Sequence, residues 1–136
     1  MIAKQRIGIV GAGMMGHGIA KNLVEKGFPL AVRGHRSRAP IDDLVGRGAT
    51  EVKTNADLAR ASDIVILCVT GAPQVEEVVF GPDGVAGAAR PGTIVVDTST
   101  SEPATTAKVR EALAKLDVRF VNEPLASTPV EAEQGR

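Results

Sequence analysis

Aromatic side chains are scarce in this chain of 136 residues, which has three Phe, no Tyr and no Trp. It therefore lacks the aromatic platforms on which single-stranded bases stack. Net charge is also absent, because 16 Lys and Arg balance 16 Asp and Glu. Without a basic surplus we expect no general binding to nucleic acid or to an anionic membrane, so any recognition of an anion must be local.

Cysteine and long apolar runs are equally scarce. The single cysteine, Cys68, lies in the apolar run 64–69, where we expect a small buried side chain in a reducing compartment rather than a nucleophile. No apolar run approaches the roughly 20 residues that cross a bilayer, and the N-terminus shows no signal-peptide pattern. These absences favour a cytoplasmic protein with no membrane partner, and no metal site is predicted.

The length of the chain corresponds to one domain and is too short for the usual two-domain enzyme. Hydrophobic residues make up 43% and charged residues 24%, which is close to the globular average. We therefore expect a folded single domain with a packed core.

Continuous apolar runs predict the strands. The runs at 6–10, 63–69 and 93–97 are β-branched and do not alternate with polar residues. This pattern is typical of strands buried on both faces of a parallel sheet. Two further strands are predicted at 28–32 and 118–121.

Helical spacing fills the segments between these strands. One helix is predicted from Met15 to a C-cap at Gly27, and Asn55 is expected to cap another. Glu76 and Glu77 are expected to complement the dipole of a helix that opens near residue 73.

The last predicted helix has a proline in its first turn. It opens near Pro103, and Val109, Leu113 and Leu116 are expected to face inward. The resulting alternation of strands and helices predicts an α/β fold with a right-handed, doubly wound parallel sheet.

A glycine-rich turn lies between the first strand and the first helix. Gly11 permits a tight turn, Gly13 lets the backbone approach a pyrophosphate, and Gly16 allows close packing of helix on strand. The N–H groups that open the helix then face the phosphates. A purely structural turn without a ligand is the alternative. The full motif is Gly11, Ala12, Gly13, Met14, Met15 and Gly16.

The end of the second strand distinguishes NADP(H) from NAD(H). An Asp or Glu there would bind the adenosine ribose, but the segment 33–38 contains three arginines and no acid. A guanidinium pairs with a 2′-phosphate that a carboxylate would repel. We therefore predict NADP(H), with Arg36 as the leading contact and Ser37 as a hydroxyl donor, and with NAD(H) less favoured. The alternative is that these arginines form a solvated loop.

Two further motifs accompany the glycine turn. Ala20, Asn22 and Leu23 follow it at fixed spacing, and the D-x-S-T pattern stands intact at 97–100. With these motifs the chain resembles the N-terminal domain of the β-hydroxyacid dehydrogenase family. This family includes 3-hydroxyisobutyrate dehydrogenase, tartronate semialdehyde reductase and 6-phosphogluconate dehydrogenase. The resemblance covers almost the whole chain and implies a Rossmann-type domain.

The resemblance also implies particular site residues. Its arginine-containing motif after the second strand and its loop after the fourth strand bind the cofactor, while the D-x-S-T turn and a later loop border the substrate. The later loop departs from the family pattern, because side chains replace glycines. The implied cofactor contacts are His35, Arg36, Ser37, Val69, Thr70, Gln74 and Thr100, and the implied substrate contacts are Ser99, Ala126, Ser127 and Thr128.

The proton donor of the family, a lysine on a later helix, has no counterpart in this chain. We therefore assign no catalytic residue and expect the chain alone to be inactive. Residues 1–121 are expected to form the dinucleotide-binding domain. Residues 122–136 would begin the substrate loop and the interdomain segment, with the family's helical C-terminal domain absent. The full-length protein is expected to be a homodimer or tetramer.

The implied function is the NADP(H)-binding domain of an oxidoreductase. Such an enzyme would transfer hydride between the nicotinamide and a small hydroxyacid or its carbonyl form. Two alternatives stay open: a standalone NADP(H)-sensing or scaffold domain, and the cofactor domain of an imine reductase-like enzyme. Fold and cofactor alone do not fix the substrate.

Overall fold

Strands and helices alternate along the chain. The computed structural model describes residues 6–11, 14–33, 38–69, 72–98 and 103–122, and the structural statements that follow concern these residues. The strands are β1 Ile7–Val10, β2 Leu30–Arg33, β3 Thr50–Val52, β4 Ile64–Leu67, β5 Ile94–Asp97 and β6 Arg119–Asn122. The helices are α1 Met14–Glu25, α2 Arg38–Gly46, α3 Asn55–Arg60, α4 Ala72–Phe80 and α5 Pro103–Ala114, with a 3-10 turn at Val85–Gly87.

The six strands form one sheet in the order β3-β2-β1-β4-β5-β6. Every neighbouring pair is parallel, and β1 lies between β2 and β4. The chain therefore builds the sheet outward from β1 in one direction and then outward from β4 in the other. This is the doubly wound Rossmann topology that the sequence predicts.

Helices cover both faces of the sheet. One face buries a core that includes Leu67, Val95 and Leu113. The opposite face buries a second core that includes Ile9, Val32 and Leu44. All four residues of β1 are buried, which explains why its sequence is a continuous apolar run rather than an alternating one.

A glycine in β1 lets the sheet and α3 approach closely. A Cβ atom at Gly8 would lie 2.5 Å from Leu58 Cδ2 and 2.3 Å from Ser62 Oγ. That hydroxyl is itself fixed, because Ser62 Oγ donates a 2.6 Å hydrogen bond to the carbonyl oxygen of Leu58. Any side chain at position 8 would therefore push α3 away from the central strand.

The structure corrects the sequence prediction at two helix starts. Thr54, not Asn55, is the N-cap of α3, because Thr54 Oγ1 accepts a 3.0 Å hydrogen bond from the backbone N–H of Asp57. Asn55 is instead the first helical residue. In α4, which begins at Ala72, Glu76 and Glu77 lie in the second turn, so they complement the helix dipole less than the sequence predicts.

Two further differences involve short or terminal segments. Strand β3 was not predicted, because its three residues include Glu51 and form a largely exposed edge that pairs with β2 alone. Leu116 was expected to face inward, but α5 ends at Ala114 and Leu116 lies in the following turn with 43% of its surface exposed. Val109 and Leu113 are fully buried, as predicted.

Candidate functional site

The candidate site lies at the carboxyl edge of the sheet, where β1 and β4 end side by side. Val10 is paired with Leu67, and the N–H of Cys68 donates a 2.8 Å hydrogen bond to the carbonyl oxygen of Val10. The chain leaves β1 toward β2 and leaves β4 toward β5, on opposite sides. This divergence opens a crevice, and ligands of doubly wound sheets bind at such a point.

A cleft of about 320 Å³ opens at this crevice. This volume is at the lower end of the range for small-molecule sites, which is about 300–1,000 Å³. One wall comes from the ends of β1, β2 and β4, and the other wall comes from α4. The lining residues are Val10, Gly11, Arg33, Val69, Pro73, Gln74, Glu77 and Val78.

Gly11 turns the chain out of β1 in a conformation that favours glycine. Its φ is +90°, and an added Cβ would lie 2.2 Å from the carbonyl oxygen of Cys68. The first residue of the predicted motif therefore makes the tight turn assigned to it. Ala12 and Gly13 lie outside the described residues.

Helix α1 begins at Met14, so Met14, Met15 and Gly16 form its first turn. The backbone N–H groups of a first helical turn have no partner within the helix and carry a partial positive charge. They are therefore available to a phosphate next to the Gly11 turn. The two described parts, the positive-φ glycine at the end of β1 and the helix that begins at Met14, are those that a dinucleotide-binding turn requires.

The arginine segment after β2 lies partly outside the described residues, which exclude His35, Arg36 and Ser37. Arg33 is the last residue of β2 and lines the cleft. Its Nε atom is buried and has no hydrogen-bond partner among the described residues. Arg33 is not among the contacts predicted from the sequence, although its place at the end of β2 is the signal that could have identified it.

A polar network joins α1 to α2 beside this region. His17 Nε2 lies 2.6 Å from Asp43 Oδ2, and Arg47 Nε donates to the same oxygen at 2.9 Å. Arg47 also contacts Glu25 at 3.1 Å. The hydrogen bond from His17, followed by that from Arg47, holds the pKa of Asp43 below its usual value of 3.8. His17 thus connects two helices, a contact that periodicity alone could not reveal.

The D-x-S-T motif begins at the end of β5, next to β4. Asp97 is fully buried, and Thr98 Oγ1 donates to the carbonyl oxygen of Leu67 at 2.7 Å. The same hydroxyl lies 3.3 Å from Cys68 Sγ. Desolvation raises the pKa of the Cys68 thiol, although the residue is partly exposed and not buried as the sequence predicts. The motif therefore starts at the carboxyl edge, near the cleft.

Several predicted contacts lie outside the described residues, namely Thr70, Ser99, Thr100, Ala126, Ser127 and Thr128. Of the predicted cofactor contacts that are described, Gly11, Val69 and Gln74 line the same cleft. The structure adds Pro73, Glu77 and Val78, which share the cleft-facing side of α4. Their spacing of three to four residues is the helical signal that groups them with Gln74.

A larger hollow of about 590 Å³ lies beside α5 and β6. It is lined by the segments that lead into β5 and β6, including Gly92 and Val118, and by β6 itself, and none of its lining residues belongs to the glycine turn. It lacks the features of a nucleotide site, and the smaller cleft is the better candidate.

Within the described ranges, no group of three or more His, Cys, Asp or Glu residues could hold a metal ion. No helix in that part of the chain is both long enough and apolar enough to span a membrane.

The residues at the cleft fit a dinucleotide cofactor. The backbone at Gly11 leaves no space for a side chain, α1 opens at Met14, and the side chain of Arg33 lines the cleft. A pyrophosphate accepts hydrogen bonds from helix N–H groups, and a nucleotide offers acceptors to a guanidinium.

Comparison with known proteins identifies the same relationship. Residues 6–136 match the family described as the NAD binding domain of 6-phosphogluconate dehydrogenase. The chain is 33% identical over 131 residues to 2-hydroxy-3-oxopropionate reductase of Escherichia coli, covering 96% of this chain and 44% of that protein. It is also 33% identical over 122 residues to the cytokine-like nuclear factor N-PAC of Xenopus tropicalis, covering 90% of this chain and 23% of that protein.

Among solved structures, Psf3 in complex with NADP+ and 2-OPP superimposes with a TM-score of 0.87 and 31% identity. The match covers 95% of this chain and 45% of that one. The chain thus spans less than half the length of the relatives it matches. It belongs to the family of the NAD binding domain of 6-phosphogluconate dehydrogenase and is an NAD(P)-binding domain of the type found in hydroxyacid dehydrogenase-like oxidoreductases.

Proposed function

We propose that this chain binds NADP(H) for an oxidoreductase that acts on a small hydroxyacid or its carbonyl form. The observation that carries the proposal is the cleft between the ends of β1, β2 and β4, bordered by the positive-φ turn at Gly11. When bound, the nicotinamide supplies or accepts hydride. The residues of this chain bind and orient the two nucleotide halves.

The pyrophosphate contacts belong to the glycine turn. Gly11 and Gly13 bring backbone close to the phosphates, and the first N–H groups of α1 donate to them. Ala12, Met14, Met15 and Gly16 complete the binding turn. On the other wall of the cleft, Val69, Thr70 and Gln74 border the cofactor. These roles are supported by the position of Gly11, Val69 and Gln74 around one cleft.

Preference for NADP(H) is assigned to the segment after β2. Arg36 would pair with the 2′-phosphate, Ser37 would donate its hydroxyl, and His35 would border the ribose. The absence of Asp and Glu from 33–38 supports this assignment. The occurrence of NADP+ in the complex of the related Psf3 also supports it.

The substrate would lie beyond the end of β5. We assign Ser99 and Thr100 to the edge between nicotinamide and substrate, and Ala126, Ser127 and Thr128 to the loop that borders it. The described start of the motif at Asp97 and Thr98 supports this location. No residue of this chain is assigned as the proton donor.

The organisation of the parent enzyme follows from the same proposal. Residues 1–121 form the dinucleotide-binding domain, and residues 122–136 begin the connection to a helical domain. The parent enzyme is a homodimer or tetramer. A cytoplasmic, reducing location is supported by the free thiol of Cys68.

Calorimetric titration of the chain with NADPH and NADH tests the proposal. We expect at least a tenfold preference for NADPH, which corresponds to about 1.4 kcal/mol at the 2′-phosphate. Arg36→Ala should remove the preference without weakening NADH. Arg60→Ala, on the exposed side of α3, is the matched control and should change neither affinity. Equal affinities of the natural chain for the two cofactors would refute the assignment of NADP(H).

A second candidate is a nucleotide-binding domain without catalysis. It is favoured by the similarity to N-PAC, which is named as a nuclear factor and not as an oxidoreductase. The two candidates differ in the parent protein. Reduction of 2-hydroxy-3-oxopropionate by a full-length parent with NADPH would support the first candidate, whereas cofactor binding without turnover on hydroxyacids and their carbonyl forms would support the second.

A further inference from the structure

Cys68 lies where the ends of three neighbouring strands meet. Its backbone N–H donates a 2.8 Å hydrogen bond to the carbonyl oxygen of Val10, at the end of β1. On the other side, Thr98 follows β5 and donates twice to the carbonyl oxygen of Leu67, through its backbone N–H at 2.9 Å and through Oγ1 at 2.7 Å. The ends of β1, β4 and β5 are therefore joined by backbone hydrogen bonds and by one side-chain hydroxyl.

The Thr98 hydroxyl is fixed by its neighbours. It has a single proton, which the 2.7 Å contact directs to the Leu67 carbonyl, and its oxygen lies 3.3 Å from Cys68 Sγ. Desolvation raises the pKa of this thiol, so the thiol keeps its proton at neutral pH and carries no charge next to the hydroxyl. The β-branched side chain of Thr98 also has few rotamers. The hydroxyl thus holds Thr98 in one position against β4.

Cys68 and Thr98 lead into different parts of the proposed cofactor site. The carbonyl oxygen of Cys68 lies against the Gly11 turn, because a Cβ at Gly11 would come within 2.2 Å of it. Thr98 directly precedes Ser99 and Thr100, which the proposed function assigns to the edge between nicotinamide and substrate. The path from the glycine turn to this nicotinamide edge therefore runs through the contact between Cys68 and Thr98.

We infer that the Thr98 hydroxyl is a positioning group, which holds the nicotinamide edge of the site in register with the glycine turn. It acts through Leu67 and Cys68 and not by contact with the cofactor. Thr98 occupies the unspecified position of the D-x-S-T pattern, so this role is separate from those of Ser99 and Thr100. The inference rests on the proposed function.

A positioning role differs in its consequences from a purely structural one. A hydroxyl that only stabilises the sheet affects the folded chain as a whole, so its loss weakens all ligands of the cofactor site equally or weakens none. A positioning hydroxyl affects only ligands that reach the nicotinamide edge. NADPH reaches it, whereas 2′-phospho-ADP-ribose contains the same adenine, pyrophosphate and two riboses but no nicotinamide.

Calorimetric titration of Thr98→Val with these two ligands tests the inference. Valine has the shape of threonine without its hydroxyl, and the Leu67 carbonyl keeps the N–H of residue 98 as a partner, so the variant should fold. One net hydrogen bond corresponds to about 2-fold to 13-fold in affinity. We expect about fivefold weaker binding of NADPH and less than about a twofold change for 2′-phospho-ADP-ribose. Thr98→Ser keeps the hydroxyl and should restore most of the NADPH affinity.

Fluorescence of the reduced nicotinamide supplies a readout at the affected end of the cofactor. Binding to the natural chain should change the emission of NADPH. The change at saturation should be smaller in Thr98→Val and should recover in Thr98→Ser.

Ser62→Ala is the matched control, because it also removes a hydroxyl that donates to a backbone carbonyl oxygen. Ser62 Oγ donates to Leu58 at 2.6 Å, and Ser62 lies at the opposite, amino end of β4. This variant should lower the urea midpoint while both affinities stay at their natural values. Circular dichroism at 222 nm checks that each variant is folded.

Equal losses for NADPH and 2′-phospho-ADP-ribose in Thr98→Val, or no loss for either ligand, would overturn the inference. A Thr98→Ser variant that binds NADPH as weakly as Thr98→Val would also overturn it. Failure of the natural chain to bind either ligand would instead refute the proposed function, and the inference with it.

Discussion

The turn at Gly11 supports a quantitative prediction about stability. Gly11 has a φ of +90°, and a Cβ there would lie 2.2 Å from the carbonyl oxygen of Cys68 and 2.8 Å from its carbonyl carbon. Both obstacles are backbone atoms at the end of β4, so no rotamer change relieves the contact. Gly11→Ala therefore forces either the β1 turn or the neighbouring strand to move.

The expected loss has two contributions. A non-glycine residue at positive φ costs about 1–3 kcal/mol, and overpacking against a fixed neighbour costs about 1–3 kcal/mol more. The total of about 2–6 kcal/mol is a large fraction of the usual 5–15 kcal/mol of folding free energy. For a chain of this length each kcal/mol lowers Tm by about 3–4 °C, so Gly11→Ala should lower Tm by about 7 °C or more.

Urea denaturation followed by circular dichroism at 222 nm measures this loss, since the chain has no Trp or Tyr for intrinsic fluorescence. Gly46→Ala is the matched control. Gly46 ends α2, and a Cβ there meets no atom within 4 Å. This control should be neutral or stabilising by up to about 1 kcal/mol. Equal urea midpoints for Gly11→Ala and the natural chain would refute the reasoning from the Cys68 contact.

Two other groups give predictions through their pKa values. A hydrogen bond from the backbone N–H of Arg6, at 2.9 Å, is the main reason that the pKa of Asp63 lies below its usual 3.8. Its contribution to stability is therefore present above pH 3.8 and lost as the pH falls below it, so Asp63→Asn should show a smaller drop in urea midpoint between pH 6 and 3 than the natural chain. Glu111→Gln, at an exposed position of α5, should keep the natural drop. Desolvation raises the pKa of Cys68 in the folded chain. The folded state therefore loses stability relative to the unfolded state as the pH rises above the usual value of 9.0. The thiol should react with a disulfide reagent at pH 8 more slowly than free cysteine, and a rate equal to that of free cysteine would contradict its desolvation.

Much of the fold could be predicted from the sequence because its central strands have an unambiguous pattern. The run around Ile9 is buried on both faces, and the runs around Val65 and Val95 are buried on one face and partly buried on the other, so apolar residues continue along each strand. The C-cap at Gly27 was equally clear. Its N–H donates to Val24 and that of Phe28 donates to Leu23, which ends α1 as predicted.

The errors concern contacts that local sequence does not determine. Strand β3 depends on pairing with β2, which brings Thr50 and Val52 into the sheet although their segment is not apolar. Thr54 and Asn55 are both good capping residues, and the choice depends on which hydroxyl or amide meets the N–H of Asp57.

The candidate site was only partly predictable for a similar reason. The glycine motif identified Gly11 and the family resemblance implied Gln74, and these residues, 63 positions apart, line one cleft. Glu77 was not identified, because the side of α4 that faces the cleft depends on how the helix packs against the sheet. Motif spacing also gave no signal for the contact between His17 and Asp43, which joins two different helices.

The burial of β1 on both sides has a consequence for how this scaffold can diversify. Residues that hold the sheet together, such as Ile9 and Val32, are fully enclosed, whereas Gln74 and Glu77 on α4 are exposed at the rim of the cleft. Exchange of the rim residues leaves the buried layers intact. Libraries that randomise this helical rim should therefore yield many folded clones with altered ligand preference, while the same effort directed at the interior would yield few.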